Sequence, residues 1–307
     1  MENIRTDLAI EAHEMCSKKK AEETEVGGVL VTEDKRDGVF VTVIDIKSIE
    51  GEKELGKPMG KYITIEAPDI KFSDDALENT AKIIAEQIRE ICHVTESTKT
   101  LVVGLGNDMI TPDALGPKVV SQLMVTNHIK TYMSELLDES YSSVCAIVPG
   151  VLGTTGIETT DIIKGVADKI KPEIVICVDA LATRSVNRIS TTVQISDTGI
   201  SPGSGVENKR EEISEKSIGA KVISIGVPTV VDAATIASDS IDAVIESSEE
   251  LKVLCKENER RNIIKKALLG SEKNMMVTPK DIDLVIRRAA KVVADGINLA
   301  LHNSVSF

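Results

Sequence analysis

The chain has 307 residues and a formal net charge of −13; 42% of its residues are hydrophobic, and it holds no Trp and only three Phe and three Tyr. That length fits one large α/β domain with additions or two average domains, and the core must be built from aliphatic side chains. So acidic a surface argues against binding a phosphate backbone, and no run of about 18 apolar residues exists to span a membrane.

Met1 to Glu25 is polar, carries Lys18-Lys19-Lys20, and reads as a loose, partly helical arm. It lacks the apolar segment of a secretory signal. Two apolar runs, Val29-Leu30-Val31 and Val39-Phe40-Val41, flank Asp37-Gly38, the signature of a tight hairpin. Tyr62 to Glu66 reads as a strand. Leu77, Ala81, Ile84, Ile88 and Ile91 recur at helical spacing across Ser73 to Cys92.

From Thr100 onward the rhythm changes to apolar strands alternating with helices. Strands are predicted at Thr100 to Gly104, Val144 to Val148, Ile174 to Asp179, Thr191 to Ile195 and Lys221 to Val227. Helices are predicted at Leu115 to Met124, Glu158 to Lys169 and Val230 to Glu246. Leu251 to Asn274 reads as charged and helical. A last helix is expected from Thr278 as N-cap, with Pro279 in its first turn, to about Leu301. The pattern predicts a three-layer α/β/α core around a mainly parallel sheet, with an additional N-terminal β-hairpin region.

Five cysteines (Cys16, Cys92, Cys145, Cys177 and Cys255) form no C-x-x-C pair, and an odd count fits a reducing compartment. Cys145 and Cys177 sit in apolar runs and read as buried thiols. The four histidines are scattered without metal-ligand spacing, and no G-x-S-x-G occurs. A soluble cytoplasmic protein without cofactor or bound metal is expected.

Two acidic positions stand out. Asp113 follows the loop Gly104-Leu105-Gly106-Asn107, after one buried strand and before a helix. The third glycine of a dinucleotide fingerprint would fall on Met109, so that reading fails. Asp113 either caps its helix or faces the crevice at the strand ends, where ligands of open α/β sheets bind. Asp179 closes the apolar strand Ile174 to Asp179 and is either a turn former or a second crevice carboxylate. Two carboxylates in one crevice can share a proton and activate a water, or can anchor a metal that does so. Arg184 is a candidate partner of Asp179 or oxyanion stabiliser. The loop Ser201 to Arg210 is a substrate-facing lid or a surface excursion.

At these motifs the chain resembles the germination proteases of spore-forming Firmicutes. The resemblance runs through Ile4-Arg5-Thr6-Asp7-Leu8-Ala9, Val102 to Pro117, Ala146 to Val151, Thr155 to Thr159, Val178 to Ser185, Gln194-Ile195-Ser196-Asp197, Pro202-Gly203-Ser204-Gly205, Val227 to Ala233, Met276 to Lys280 and Asn298 to His302. It implies a fold similar to hydrogenase maturation endopeptidases and a catalytic pair at Asp113 and Asp179. It also points to Gly106, Asn107, Arg184, Gly203, Ser204 and Gly205 as substrate or oxyanion contacts. It implies a zymogen cut between Asp7 and Leu8, with 1–7 as propeptide and 8–307 as one peptidase domain. That domain divides into a hairpin and helix region (8–98), a catalytic core (99–250) and C-terminal helices (251–307). The implied substrates are small acid-soluble spore proteins, the implied assembly is a homotetramer, and the implied location is the forespore and spore core. Against longer relatives of this kind, the stretch from Ile245 to Asn274 is short.

Overall fold

The computed structural model describes residues 6–19, 27–95, 97–203, 211–247 and 275–303. In chain order the helices are α1 (Ala9–Lys19), α2 (Ile49–Leu55), α3 (Asp74–Cys92), α4 (Leu115–Val120), α5 (Asn127–Tyr132), α6 (Leu152–Thr155), α7 (Thr159–Ile170), α8 (Glu215–Ile218), α9 (Ala233–Glu246) and α10 (Ile282–Leu301). The strands are β1 (Val29–Arg36), β2 (Val39–Ile46), β3 (Gly60–Glu66), β4 (Lys99–Gly104), β5 (Ser143–Ile147), β6 (Ile174–Thr183), β7 (Thr192–Ser196), β8 (Lys221–Asp232) and β9 (Met276–Val277).

Among the described residues the nine strands join one sheet in the order β1-β2-β3-β7-β8-β6-β4-β5, with β9 beside β8. The block β8-β6-β4-β5 runs parallel, as the alternation of strand and helix requires. The hairpin turns at Asp37 and Gly38, both at positive φ, which matches the right-handed strand twist. Strands β1, β2, β3 and β7 then extend the same sheet in antiparallel fashion, so the N-terminal hairpin shares its hydrogen bonding with the core.

Side chains alternate across the sheet, and each face has its own apolar layer. On one face α3, α4 and α10 cover Val102, Ile176, Val178, Val193, Ile195, Ile223 and Ile225. On the other, α7 and α8 cover Leu101, Val103, Val175, Cys177 and Val222. A separate cluster on that second face gathers Leu8, Ala9, Ile10, Ile44, Ile46, Tyr62 and Leu181. The gap between these two clusters is where the sheet face turns polar.

Several boundaries differ from the sequence reading for physical reasons. Strand β6 continues to Thr183 because β8 keeps pairing with it, so Asp179 lies inside a strand instead of closing it. Pairing with β4 stops at Val178, which leaves Asp179 beside the open end of β4. Helix α4 stops at Val120, and β8 extends to Asp232 before α9 starts. The last helix begins at Ile282 with Asp281 as N-cap. Thr278 serves differently, donating its hydroxyl to the Thr229 carbonyl at 3.0 Å. Cys177 is buried, but Cys145 is only half-buried, because β5 is an edge strand. The helix expected over 251–274 lies outside the described residues.

The loose arm expected at the N-terminus is, over its described part, docked. Leu8 and Ala9 are fully buried, and Ile10 and Ala12 nearly so. Burying one such leucine is worth about 1.5–3 kcal/mol. Glu11 is also buried, and its carboxylate accepts from the Thr183 hydroxyl (2.7 Å), the Arg184 N–H (2.7 Å) and the Ser185 N–H (2.9 Å). The charged, helix-period pattern of this segment hid an inward-facing carboxylate whose partners are backbone amides of a distant loop.

Candidate active site

The polar gap opens as a cleft of about 1010 Å³. Its floor follows from strand parity. Asp179 shares its side of β6 with Val175 and Cys177, and pairs across to Gly226 on β8. Gly226 pairs in turn with Gln194 on β7. One row across three adjacent strands therefore reads Gln194, Gly226, Asp179, with no side chain in the middle position. At about 4.8 Å between strands, the amide and the carboxylate are held roughly 10 Å apart at the backbone, and the Leu181 side chain lies over the glycine between them, where a Cβ would stand 2.4 Å from its Cδ1.

Asp113 reaches the same cleft from the loop between β4 and α4. That loop folds back on itself. The Asn107 N–H donates to both the Asp113 carbonyl (3.1 Å) and the Asp113 carboxylate (2.8 Å). The close return is possible because Gly106 has φ of 102° and a Cβ there would stand 2.0 Å from the Asp113 carbonyl oxygen. Gly106→Ala is therefore expected to cost about 2–3 kcal/mol in strain, read as a lowered unfolding midpoint in denaturant, and to displace Asp113.

Both carboxyls are pushed toward their protonated form. Burial raises the pKa of Asp113, against the stabilising Asn107 N–H. Asp179 is raised well above the ordinary carboxylate value, first by burial, then by the facing Asp113 charge, with Asp7 adding; the Ala180 N–H opposes this. Two coupled acids in one cleft titrate as a pair and retain a proton to higher pH than either would alone. This is the electrostatic arrangement for handing a proton to and from a water.

The chain's own N-terminal segment reaches the cleft wall at Asp7. The Asp7 N–H donates to the Ala182 carbonyl at 2.9 Å, and the Ala182 N–H returns a bond to the Asp7 carboxylate at 2.8 Å. Segment residue Asp7 thus lies along the free edge of β6, just past Asp179. Its carbonyl oxygen accepts from Lys57 Nζ at 2.9 Å and from Gln194 Nε2 at 3.1 Å. The Ala9 N–H donates to Gln194 Oε1 at 2.7 Å. The Asp7–Leu8 peptide is thus held by its carbonyl oxygen, while the Leu8 N–H donates to Thr6 Oγ1 at 3.1 Å.

Of the residues singled out in the sequence, Asp7, Gly106, Asp113, Asp179 and Gly203 line the cleft. Asn107 acts through its backbone N–H. Arg184 turns away, and its guanidinium pairs with Asp239 on α9. Ser204 and Gly205 lie outside the described residues. The sequence reading missed Lys57 and Gln194. The signals were a lysine between a helix-ending Gly56 and Pro58, and an amide between Val193 and Ile195 in the middle of a strand. Among the described residues, no group of three or more His, Cys, Asp or Glu side chains is placed to hold a metal ion, and no helix is long and apolar enough to cross a membrane.

A carboxylate-lined cleft beside the end of a parallel strand is the place where α/β sheets bind and act on ligands, which marks this as the site of an α/β enzyme-type scaffold. Comparison with known proteins specifies it further. The family model described as germination protease matches residues 9–252 and 250–307. The germination protease of Clostridium tetani is 46% identical over 313 residues, covering 98% of this chain and 96% of the relative. That of Caldanaerobacter subterraneus subsp. tengcongensis is 48% identical, covering 97% and 94%. That of Bacillus thuringiensis subsp. konkukian is 41% identical, covering 99% and 95%. The chain belongs to the germination protease family, and is a peptidase.

Proposed function

We propose that the protein is an endopeptidase of the spore core that begins the breakdown of small acid-soluble spore proteins during germination. It is made as a zymogen, here including residues 1–7, and cuts its own Asp7–Leu8 bond. Asp113 and Asp179 share a proton and activate the attacking water, and no cofactor takes part. The observation that carries the reading is that Asp7 lines the same cleft as Asp113 and Asp179, with its carbonyl oxygen held by Lys57 and Gln194. In that seat the precursor blocks its own cleft, and release of residues 1–7 opens it to other chains. The net charge of −13 supports action on proteins rather than direct contact with nucleic acid. Mature molecules assemble as homotetramers, to be checked by sedimentation.

The test is N-terminal sequencing of the full chain after incubation at mildly acidic pH, beside Asp113→Asn. The wild type should acquire an N-terminus at Leu8, and the variant should keep Met1. Equal trimming of the two would assign the cut to another protease. Trimming should also slow as pH rises and the raised pair loses its shared proton. A chelator arm separates this from a metal-dependent peptidase using the same aspartates, which would lose activity on metal removal and regain it on return of the ion.

A further inference from the structure

We propose that Lys57 and Gln194 form the oxyanion site of this cleft, binding the carbonyl oxygen of the bond to be cut and stabilising the negative charge it acquires. The inference rests on the self-cutting reading above. It starts from two donors converging on one acceptor: Lys57 Nζ at 2.9 Å and Gln194 Nε2 at 3.1 Å from the Asp7 carbonyl oxygen. These are distances for donors preorganised around a developing oxyanion.

Both donors are fixed by the fold. Gly56 ends α2 in the left-handed conformation, its N–H returning to the Glu52 carbonyl. Pro58 follows, and the Tyr62 hydroxyl donates to the Pro58 carbonyl at 2.9 Å. Lys57 is therefore held between two anchored neighbours, and its ammonium also donates to the Thr6 carbonyl at 3.2 Å. Burial works against its charge, while the carboxylates of Asp7 and Glu11 favour it. A cation kept in such surroundings is worth more to a nascent oxyanion than one in water. Gln194 is oriented by the Ala9 N–H, which binds its Oε1 at 2.7 Å and thereby aims its NH₂ at Asp7. One amide side chain thus spans the bond to be cut, gripping the carbonyl before Leu8 and the N–H after it.

The chemistry balances with water as the co-reactant. Water oxygen bonds to the Asp7 carbonyl carbon as its proton passes to the ionised carboxylate of the Asp113 and Asp179 pair. The carbonyl π electrons move onto oxygen, where the Lys57 ammonium and the Gln194 amide hold the negative charge. On collapse the C–N bond to Leu8 breaks, and the pair returns a proton to the Leu8 nitrogen. The aspartates handle protons and the Lys57 and Gln194 pair handles charge, so neither set substitutes for the other.

The test measures the first-order rate of self-trimming of the full chain by mass spectrometry, with amide hydrogen exchange at Asp7 and Ala9 read in parallel. Lys57→Met should trim about 100- to 1000-fold more slowly while both amides stay protected, since their acceptors, the Ala182 carbonyl and Gln194 Oε1, are untouched. Lys57→Arg, which keeps a cation, should recover at least about tenfold over Lys57→Met. Gln194→Met should slow trimming about 100-fold. If the wild type trims and Lys57→Met trims within about threefold of it, the inference falls while self-cutting stands. If amide protection is lost together with rate, Lys57 merely holds the segment and the inference also falls. If the wild type itself never cuts at Leu8, both readings fall. Were Lys57→Met not to fold, Gln194→Met decides: a slowed rate with the Asp7 amide still protected on the Ala182 carbonyl supports the oxyanion site, and an unchanged rate, or a slowed one with that protection lost, overturns it.

Discussion

Asp179→Asn should abolish self-trimming and, at neutral pH, make the protein harder to unfold. The loss follows from chemistry: an amide neither takes the proton of an attacking water nor returns it to a leaving nitrogen. Removing a general base alone costs about 10²- to 10⁴-fold in rate. The gain in stability follows from burial. Asp179 is 7% exposed, and the fold raises its pKa well above the ordinary value through burial and the facing Asp113 charge. An acid with a raised folded pKa holds its proton in the native state after the unfolded chain has released it. Stability then falls as pH climbs from the unfolded value toward the folded one, and stays reduced above it. Asparagine carries no charge to bury and can still accept the Ala180 N–H that Asp179 accepts at 2.9 Å. Denaturant melts of wild type and variant should therefore nearly coincide below pH 4 and separate in the variant's favour as pH rises to 7. A variant that is inactive but no more stable at pH 7 would mean the charge on Asp179 is compensated in the native cleft. A variant that is folded and active would remove Asp179 from the mechanism.

The parallel block was legible because buried parallel strands are continuous apolar runs, such as Ile174 to Val178, and the hairpin because Asp37-Gly38 serves one turn geometry well. The two cleft aspartates were candidates because each follows an apolar strand motif, but the capping and turn readings stood beside the crevice reading until the family resemblance paired them. Lys57 and Gln194 were not, since the meaning of Lys57 depends on where Thr6 and Asp7 dock and that of Gln194 on strand register. Gln194 matters because it shares a row with Gly226 and Asp179, strands distant in sequence. Arg184 misled for the converse reason: it is near Asp179 in sequence, but its backbone N–H binds Glu11 and its side chain turns to Asp239. Glu11 was invisible as well, because a glutamate in a polar helix is ordinarily solvated, and nothing local announces partners more than 170 positions away.

Glu11→Ala should destabilise the protein by about 3–5 kcal/mol, the usual cost of breaking a buried ionic cluster from one side. The carboxylate is 2% exposed and accepts from Thr6, Thr183, Arg184 and Ser185, with the Arg188 guanidinium 3.5 Å away. Alanine leaves two backbone N–H groups and Arg188 facing a void, although Arg188 keeps Glu14 and Glu66 as partners. The lost bonds tie α1 to the loop after β6, and that loop continues from the strand that receives Asp7. Loosening α1 should therefore withdraw the Asp7–Leu8 bond from the aspartates, so that self-trimming slows in proportion to the fraction of molecules with the segment undocked. The effect should persist after the cut, because Glu11 lies on the retained side of Leu8: a protein beginning at Leu8 and carrying Glu11→Ala should melt earlier than its wild-type counterpart by a similar margin. Denaturant melts of the precursor and trimmed forms measure both margins. A loss confined to the precursor would show that α1 leaves its seat once residues 1–7 are gone.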